Sequence, residues 1–457
     1  MSRFAFAEGP AQYRPFQLQK RLFRVLGYYP GDDRLAHWGM LLVLFFHYWS
    51  QVMLIYWEGK HAWIKIGEGD LQPALEGICP TPSRFGGILK CCILIWKRKE
   101  LKQLLDKLKG WFDREEPREK KVNLWATYWG YQFTYWELMF THLTCVFYCL
   151  LPVAAMLFHL MKQPDEPRIY ILPFKLALPF DYCKSPIFEI TYLIMCYIAY
   201  PPIFMMAGGD GLFIGVCLLI SSQYRIVQQE LEALGNSVES DHHHRGTGEV
   251  TAEENDHVFE QLKLIAQRHN RTIDTTEEMS RLFLQNVFAS FTIAAIKIGI
   301  ACITVMKAEG PNKLIFVWYS LGILTEIYLY SYGGTQLMEE SEELNRTAYD
   351  FPWYRYRKNV RQIIQMMMLR AQKPSRVDVP FFEASVVTFS TVIDWTWFLA
   401  TVCAVLLVEM LYCDDKSRTW LPEKRRSYAV TRLCCFDVIQ VAYYGYTFIL
   451  ERVHSIT

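Results

Sequence analysis

The sequence predicts an all-α membrane protein of seven transmembrane helices with a cytoplasmic N-terminus. Three observations carry that expectation. Apolar residues make up 52% of the 457 residues and charged residues only 21%, against about 25% charged in an average soluble chain. Mean hydropathy is nevertheless +0.06, and with 48 basic and 47 acidic side chains present the charges must be clustered and the apolar residues gathered into long runs. Lys and Arg are also distributed unequally between alternate connections of those runs.

The first run, Leu35 to Trp57, contains no Asp, Glu, Lys or Arg. At ~1.5 Å per residue it spans roughly 34 Å, enough for a hydrocarbon core of about 30 Å. Leu71 to Trp96 is the weakest, interrupted by Pro80, Pro82, Arg84 and Lys90. Tyr128 to Leu160 is long and aromatic. Pro186 to Tyr224 contains Pro201-Pro202 and Gly208-Gly209, which predict a kink. Leu282 to Met306, Leu314 to Leu337 and Phe381 to Val408 complete the seven.

With the N-terminus inside, the inner segments 1–34, 97–122, 221–281 and 338–380 hold 30 basic residues, and the outer loops 58–70, 161–185 and 307–313 hold 8. The positive-inside rule selects that orientation. The expected organisation is then a cytoplasmic N-terminus (1–34), transmembrane helices 1–4 (35–224) and a cytoplasmic helical connection (225–281). Transmembrane helices 5–6 (282–337), a cytoplasmic anchor helix (338–380), the last transmembrane helix (381–408) and a C-terminal extension (409–457) follow. In the connection, 225–234 and 258–283 read as two amphipathic helices around a polar loop. Residues 339–372 read as one helical stretch stopped by Pro374. Residues 1–34 are basic and lack the apolar core of a signal peptide.

Composition excludes several functions. A net charge of +1 gives no reason to expect a nucleic-acid partner. The 13 cysteines include no CxxC pair, so no zinc site is expected, and no cofactor is implied. His242-His243-His244 reads as a solvated loop. Asn270-Arg-Thr272 and Asn345-Arg-Thr347 are sequons in segments expected to be cytoplasmic. His37, His47, His142 and His159 are scattered singly and build no catalytic motif, so an enzyme is not expected.

Two intramembrane charges stand out. Lys297 lies nine residues before Met306 and Glu326 twelve after Leu314. Adjacent antiparallel helices bring them to similar depth, where an unpaired charge is expensive, so they are expected to form a structural ion pair. A charge swap should then rescue the single reversals.

The C-terminal third carries a set of motifs in order: Tyr330, Gly334, Ser341-Glu342, Ala348-Tyr349, Trp353, Gln372-Lys373-Pro374 and Thr388-Phe389. ILPFKLALPFDYCKSPIFEITYL before the fourth span agrees with the same pattern, as do ISSQYRIVQQELEAL and IAQRHNR between the fourth and fifth. In these the chain resembles an insect odorant receptor. Gustatory receptors end in Thr-Tyr…Gln-Phe, absent here. The odorant co-receptor has a much longer fourth-to-fifth connection. Two features depart from the family: the aromatic cluster Trp395-Thr396-Trp397-Phe398 is shifted toward the start of the last span, and the chain continues beyond it to Thr457.

The resemblance implies a tuning subunit of an odorant-gated cation channel in the plasma membrane, a heterotetramer with the odorant co-receptor. Its ligands would be small volatile odorants, its surroundings membrane lipid, its pore lined by the last span. A gustatory-type channel and a polytopic membrane enzyme are the alternatives. In the last span Thr391, Asp394, Phe398 and Thr401 share one helix face and are the expected pore residues. The expected ligand pocket is apolar and aromatic, formed by Trp136, Phe140, Leu143 and Phe147 on the third span, Phe188, Tyr192 and Met195 on the fourth, and Trp318 on the sixth.

Overall fold

The computed structural model describes residues 14–29, 38–113, 117–163, 165, 167–245, 250–307, 312–379 and 382–394. Apart from one two-residue strand pair, its regular structure is helical. The short amphipathic α1 (Gln17–Val25) precedes α2 (Trp38–Gly67), α3 (Leu71–Ile78), α4 (Thr81–Trp96) and α5 (Arg98–Asp113). Then come α6 (Pro117–Lys162), α7 (Ile187–Ile198), α8 (Tyr200–Arg245), α9 (Ala252–Lys307), α10 (Asn312–Asp350) and α11 (Lys358–Ala371). A further helical turn starts at 386 and is described as far as 394.

Six stretches among the described residues are long and apolar enough to cross a membrane: Gly39–Gly67, Leu71–Trp96, Glu119–Lys162, Ile187–Ser237, Ala252–Met306 and Lys313–Asp350. They coincide in order with the first six expected spans. The seventh lies outside the described residues beyond 394, as do Phe398, Thr401 and the whole of 409–457. The outer surface is apolar: Leu42, Phe45, Phe46 and Trp49 on α2 and Leu157 and Phe158 on α6 are exposed, as lipid-facing side chains are.

The bundle is organised around α8, which is almost wholly buried through its membrane part and packs on α4, α6, α9 and α10. Small residues make this possible, since lipid supplies no drive for helices to associate and close packing must. A Cβ on Gly130 of α6 would stand 3.2 Å from Gly215 Cα of α8. The irregularity expected in the fourth span falls at Ala199, the one residue between α7 and α8, which keeps a right-handed helical backbone. Pro201 and Pro202 lack N–H groups and are tolerated only in a first turn. Pro202 therefore leaves the Ile198 carbonyl unsatisfied, and Gln51 of α2 donates to it at 2.9 Å.

At the end of the bundle where α9 meets α11, the two helices expected in 225–281 are extensions of α8 and α9 rather than separate elements. Tyr224 and Ser375 hydroxyls meet at 2.7 Å, and Gln228 donates to the Glu340 carbonyl at 2.7 Å. The single helix expected over 339–372 is two. Pro352 disfavours helix at Phe351 and cannot donate, so α10 ends at Asp350, a 3₁₀ turn follows at Trp353–Arg355, and α11 starts anew. Val360, Ile364, Met367 and Ala371 of α11 face the core. The strands Asp378–Val379 and Phe382–Glu383 pair antiparallel, the first packing on α9; just after the second, the chain meets α10, where a Cβ on Gly334 would fall 1.8 Å from the Ala384 carbonyl oxygen.

Candidate functional site

Five helices bring ionisable side chains together in the middle of the bundle. Lys90 of α4 contacts both oxygens of Asp210 of α8, at 2.8 and 3.0 Å, and Glu326 of α10 at 2.5 Å. Lys297 of α9 pairs with the other Glu326 oxygen. Tyr330 of α10 donates to Asp210 at 2.6 Å and lies under the Lys90 ammonium. Glu137 of α6 sits beside Asp210. All are at most 2% exposed. A single Lys or Glu at this depth costs several kcal/mol, and the reciprocal contacts offset that cost.

Lys297 and Glu326 are thus brought together, but as two members of a larger cluster. Lys90 stood in the sequence as an interruption of the weakest span, and Asp210 behind the Gly208-Gly209 pair. Both carried the available signal, a charge inside an apolar run.

On one side of the cluster opens a cavity of about 100 Å³. Pro80, Ser83 and Arg84 of the second span wall it, with Glu137, Thr141, Thr144, Cys145 and Tyr148 of α6. Ala199, Pro202, Ile203 and Met206 close the fourth-span side, and Tyr319, Gly322, Ile323 and Glu326 the α10 side, with Lys297 at the charged end. Phe174, from the loop before α7, covers the far end beneath the Arg84 guanidinium, 4.4 Å from it. Arg84 itself is held by Glu58 at 3.1 Å and Gln51 at 3.1 Å. The wall is chiefly apolar, with polar groups at its ends, the character of a small-molecule site.

The eight residues expected to form the pocket lie outside this wall. Trp136 is 43% exposed and joins Trp129 and Phe133 in an aromatic cluster. Phe140 and Phe147 pack on Trp318 with ring centroids 6.4 and 6.1 Å apart, and Leu143 is half-buried beside them in sequence. On α7, Phe188, Tyr192 and Met195 are buried packing residues, and the Tyr192 hydroxyl is taken by the Cys149 carbonyl at 2.5 Å. On α6 the wall of this cavity is 137, 141, 144, 145 and 148, one position on from the aromatic stripe, a rotation of about 100°. The reason is the solvent: in a bilayer large aromatics can face lipid, and small or polar residues take the interior. Thr391 and Asp394 are exposed on the chain. Among the described residues no group of three His, Cys, Asp or Glu is placed to hold a metal ion.

The sequence profile of the family described as 7tm Odorant receptor matches residues 70–396. The chain belongs to the odorant receptor family. It is 26% identical to Odorant receptor 10a of Drosophila melanogaster over 327 residues, covering 70% of this chain and 79% of that one. It is 25% identical to Odorant receptor 24a of the same fly over 405 residues, covering 87% and 97%. Its fold is that of the olfactory receptor OR5 from Machilis hrabei, solved in complex with eugenol, at a TM-score of 0.68 and 15% identity, covering 86% of this chain and 97% of that one. The molecule is accordingly a multi-pass membrane receptor and not an enzyme.

Proposed function

We propose that the receptor is the tuning subunit of an odorant-gated, non-selective cation channel, working as a heteromer with the odorant co-receptor in the plasma membrane of an olfactory neuron. The observation that carries this reading is the cavity: it is enclosed by the second, third, fourth and sixth helices of a membrane bundle and is chiefly apolar with polar ends. Such a site suits a small volatile molecule arriving through lipid. The eugenol complex of the Machilis hrabei relative supports it by analogy of fold.

The last span would line the pore, with Thr391, Asp394, Phe398 and Thr401 on its inner face and the Asp394 carboxylate attracting cations. A pore of this kind needs several subunits. The exposed apolar Met366 and Leu369 of α11, 61% and 66% exposed on the single chain, suit an anchor against neighbouring subunits. This arrangement sets the N-terminus in the cytoplasm and gives seven crossings.

The test is coexpression with the odorant co-receptor and current recording against an odorant panel. Ligand-evoked cation current that requires both subunits is expected. Ligand-evoked current from this chain alone, or a panel that alters the co-receptor's own current in no way, contradicts the reading.

A further inference from the structure

We propose that the start of α1, together with Thr127 of α6, binds a phosphate group at the edge of the membrane, with a phospholipid headgroup as its nearest source.

α1 begins without a cap. The N–H groups of its first turn have no partner within the helix, because the first intrahelical bond runs from the Lys20 N–H to the Phe16 carbonyl, at 2.9 Å. Phe16 holds the position at which Ser, Thr, Asp or Asn usually accepts those hydrogens. Here no side chain caps the helix and no acidic residue stands in the first turn. The helix dipole adds a partial positive charge at this end. The described residues 14–29 carry Arg14, Lys20, Arg21 and Arg24 and no Asp or Glu.

This helix start is held in place and opens on a crevice of about 10 Å³, walled by Arg14, Phe16 and Gln17 with Thr127 and Gly130 of α6 and Gly215 of α8. Gln19 donates to the Thr134 hydroxyl at 2.8 Å and to the Gly211 carbonyl at 3.0 Å. Gly215 leaves room for the Phe16 ring, which a Cβ there would approach to 3.2 Å.

Thr127 supplies an independent observation. It is 6% exposed, and its hydroxyl has no hydrogen-bond partner. A threonine inside a helix satisfies itself by donating to the carbonyl four residues back. Thr134, Thr141 and Thr144 of the same helix do so, at 2.7, 2.8 and 3.0 Å. Thr127, the one that walls the crevice, does not.

Backbone N–H groups, a hydroxyl and a guanidinium thus meet at one crevice, a donor set that recognises an anion. The crevice admits about one water-sized atom, so it seats a single oxygen of the ligand. A water there would leave the positive helix end uncompensated. A lone chloride would fill the space and leave Arg14, which is exposed, unmet. A phosphate gives one oxygen to the crevice and keeps others for Arg14. The setting favours a lipid as its source. Trp125, Tyr128 and Trp129 stand at the level of Thr127 on α6, and the exposed Lys120 and Lys121 precede them. Aromatics followed by basic residues mark a membrane–water boundary, the depth at which phospholipid phosphates lie.

The experiment measures the melting temperature of the purified full-length receptor in non-ionic detergent at fixed ionic strength. The probes are dioctanoyl phosphatidic acid, dioctanoylglycerol, which lacks the phosphate, and inorganic phosphate; each variant is compared with its own probe-free melting temperature. Phosphatidic acid should stabilise the receptor and dioctanoylglycerol should not. Thr127→Val and Arg14→Gln should each raise the phosphatidic acid required about tenfold, the size expected for one hydrogen bond to a charged group. Thr127→Ser should restore the wild-type response. Stabilisation by phosphatidic acid alone supports the lipid as the source; stabilisation by inorganic phosphate at the same concentrations, weakened in the same variants, supports a phosphate site filled from solution. Stabilisation by neither phosphate compound overturns the proposal. So do equal stabilisation by dioctanoylglycerol, a response unchanged in Thr127→Val or in Arg14→Gln, and a Thr127→Ser variant as weak as Thr127→Val.

Discussion

Lys90 on α4 and Glu326 on α10 stand 236 residues apart in the chain and 2.5 Å apart in space. Glu326 also pairs with Lys297, so one carboxylate serves two ammonium groups on two helices. With Asp210 on the far side of Lys90, the cluster ties α4, α8, α9 and α10 together at mid-bundle.

That geometry changes what a charge swap should do. Lys297→Glu with Glu326→Lys restores one pair but places a lysine against Lys90. The double reversal should therefore recover only part of the surface expression lost in each single variant, and Lys90→Met added to the swap should recover more. Lys90→Met alone leaves Asp210 and part of Glu326 uncompensated, a loss of about 3–5 kcal/mol. Thermal unfolding of the purified variants checks both. Full rescue by the double swap would place Lys90 outside the cluster.

Gln51→Leu should destabilise the junction of α7 and α8. It removes the donor to the Ile198 carbonyl and the acceptor for Arg84, each loss worth about 1–3 kcal/mol. A lower melting temperature with a weakened odorant response is expected, because Arg84 lines the cavity. Unchanged melting would show that neither contact bears on stability.

Gly334→Val should push the backbone at Ala384 away from α10, since the new Cβ meets the Ala384 backbone oxygen. Backbone cannot step aside as a side chain can, and overpacking of this kind costs about 1–3 kcal/mol or more. Surface expression should drop for Gly334→Val and, less severely, for Gly334→Ala. Equal expression of both with wild type would contradict the close approach.

Asp394→Ala tests the proposed pore face. With normal surface expression, the heteromer should show a changed ratio of permeabilities between cations. Unaltered permeation would remove Asp394 from the pore.

The spans were legible in the sequence because bilayer thickness dictates run length: six of the seven apolar runs coincide with helices among the described residues. Lys297 and Glu326 were legible because charges in such runs are rare and need partners. The cavity was not. Choosing the aromatic stripe of α6 follows a rule made for water, where apolar bulk turns inward. Here Trp136 faces outward, and Glu137, Thr141 and Thr144 turn toward the cavity. Glu137 is one carboxylate among aromatics, and only the fold shows that it stands beside Asp210. The break at Pro352 was readable from the missing N–H, but the flanking helical periodicity masks it.

The most direct test of the cavity as the odorant site uses the native Cys145, which is 7% exposed and lines the cavity. Cells expressing this receptor with the co-receptor are treated with methyl methanethiosulfonate, with and without the strongest odorant of the panel, and the evoked current is recorded. The reagent should suppress the current, the odorant should protect against it, and Cys145→Ser should be insensitive. Suppression that persists in Cys145→Ser, or an odorant that affords no protection, would contradict a ligand seated between α4, α6, α8 and α10.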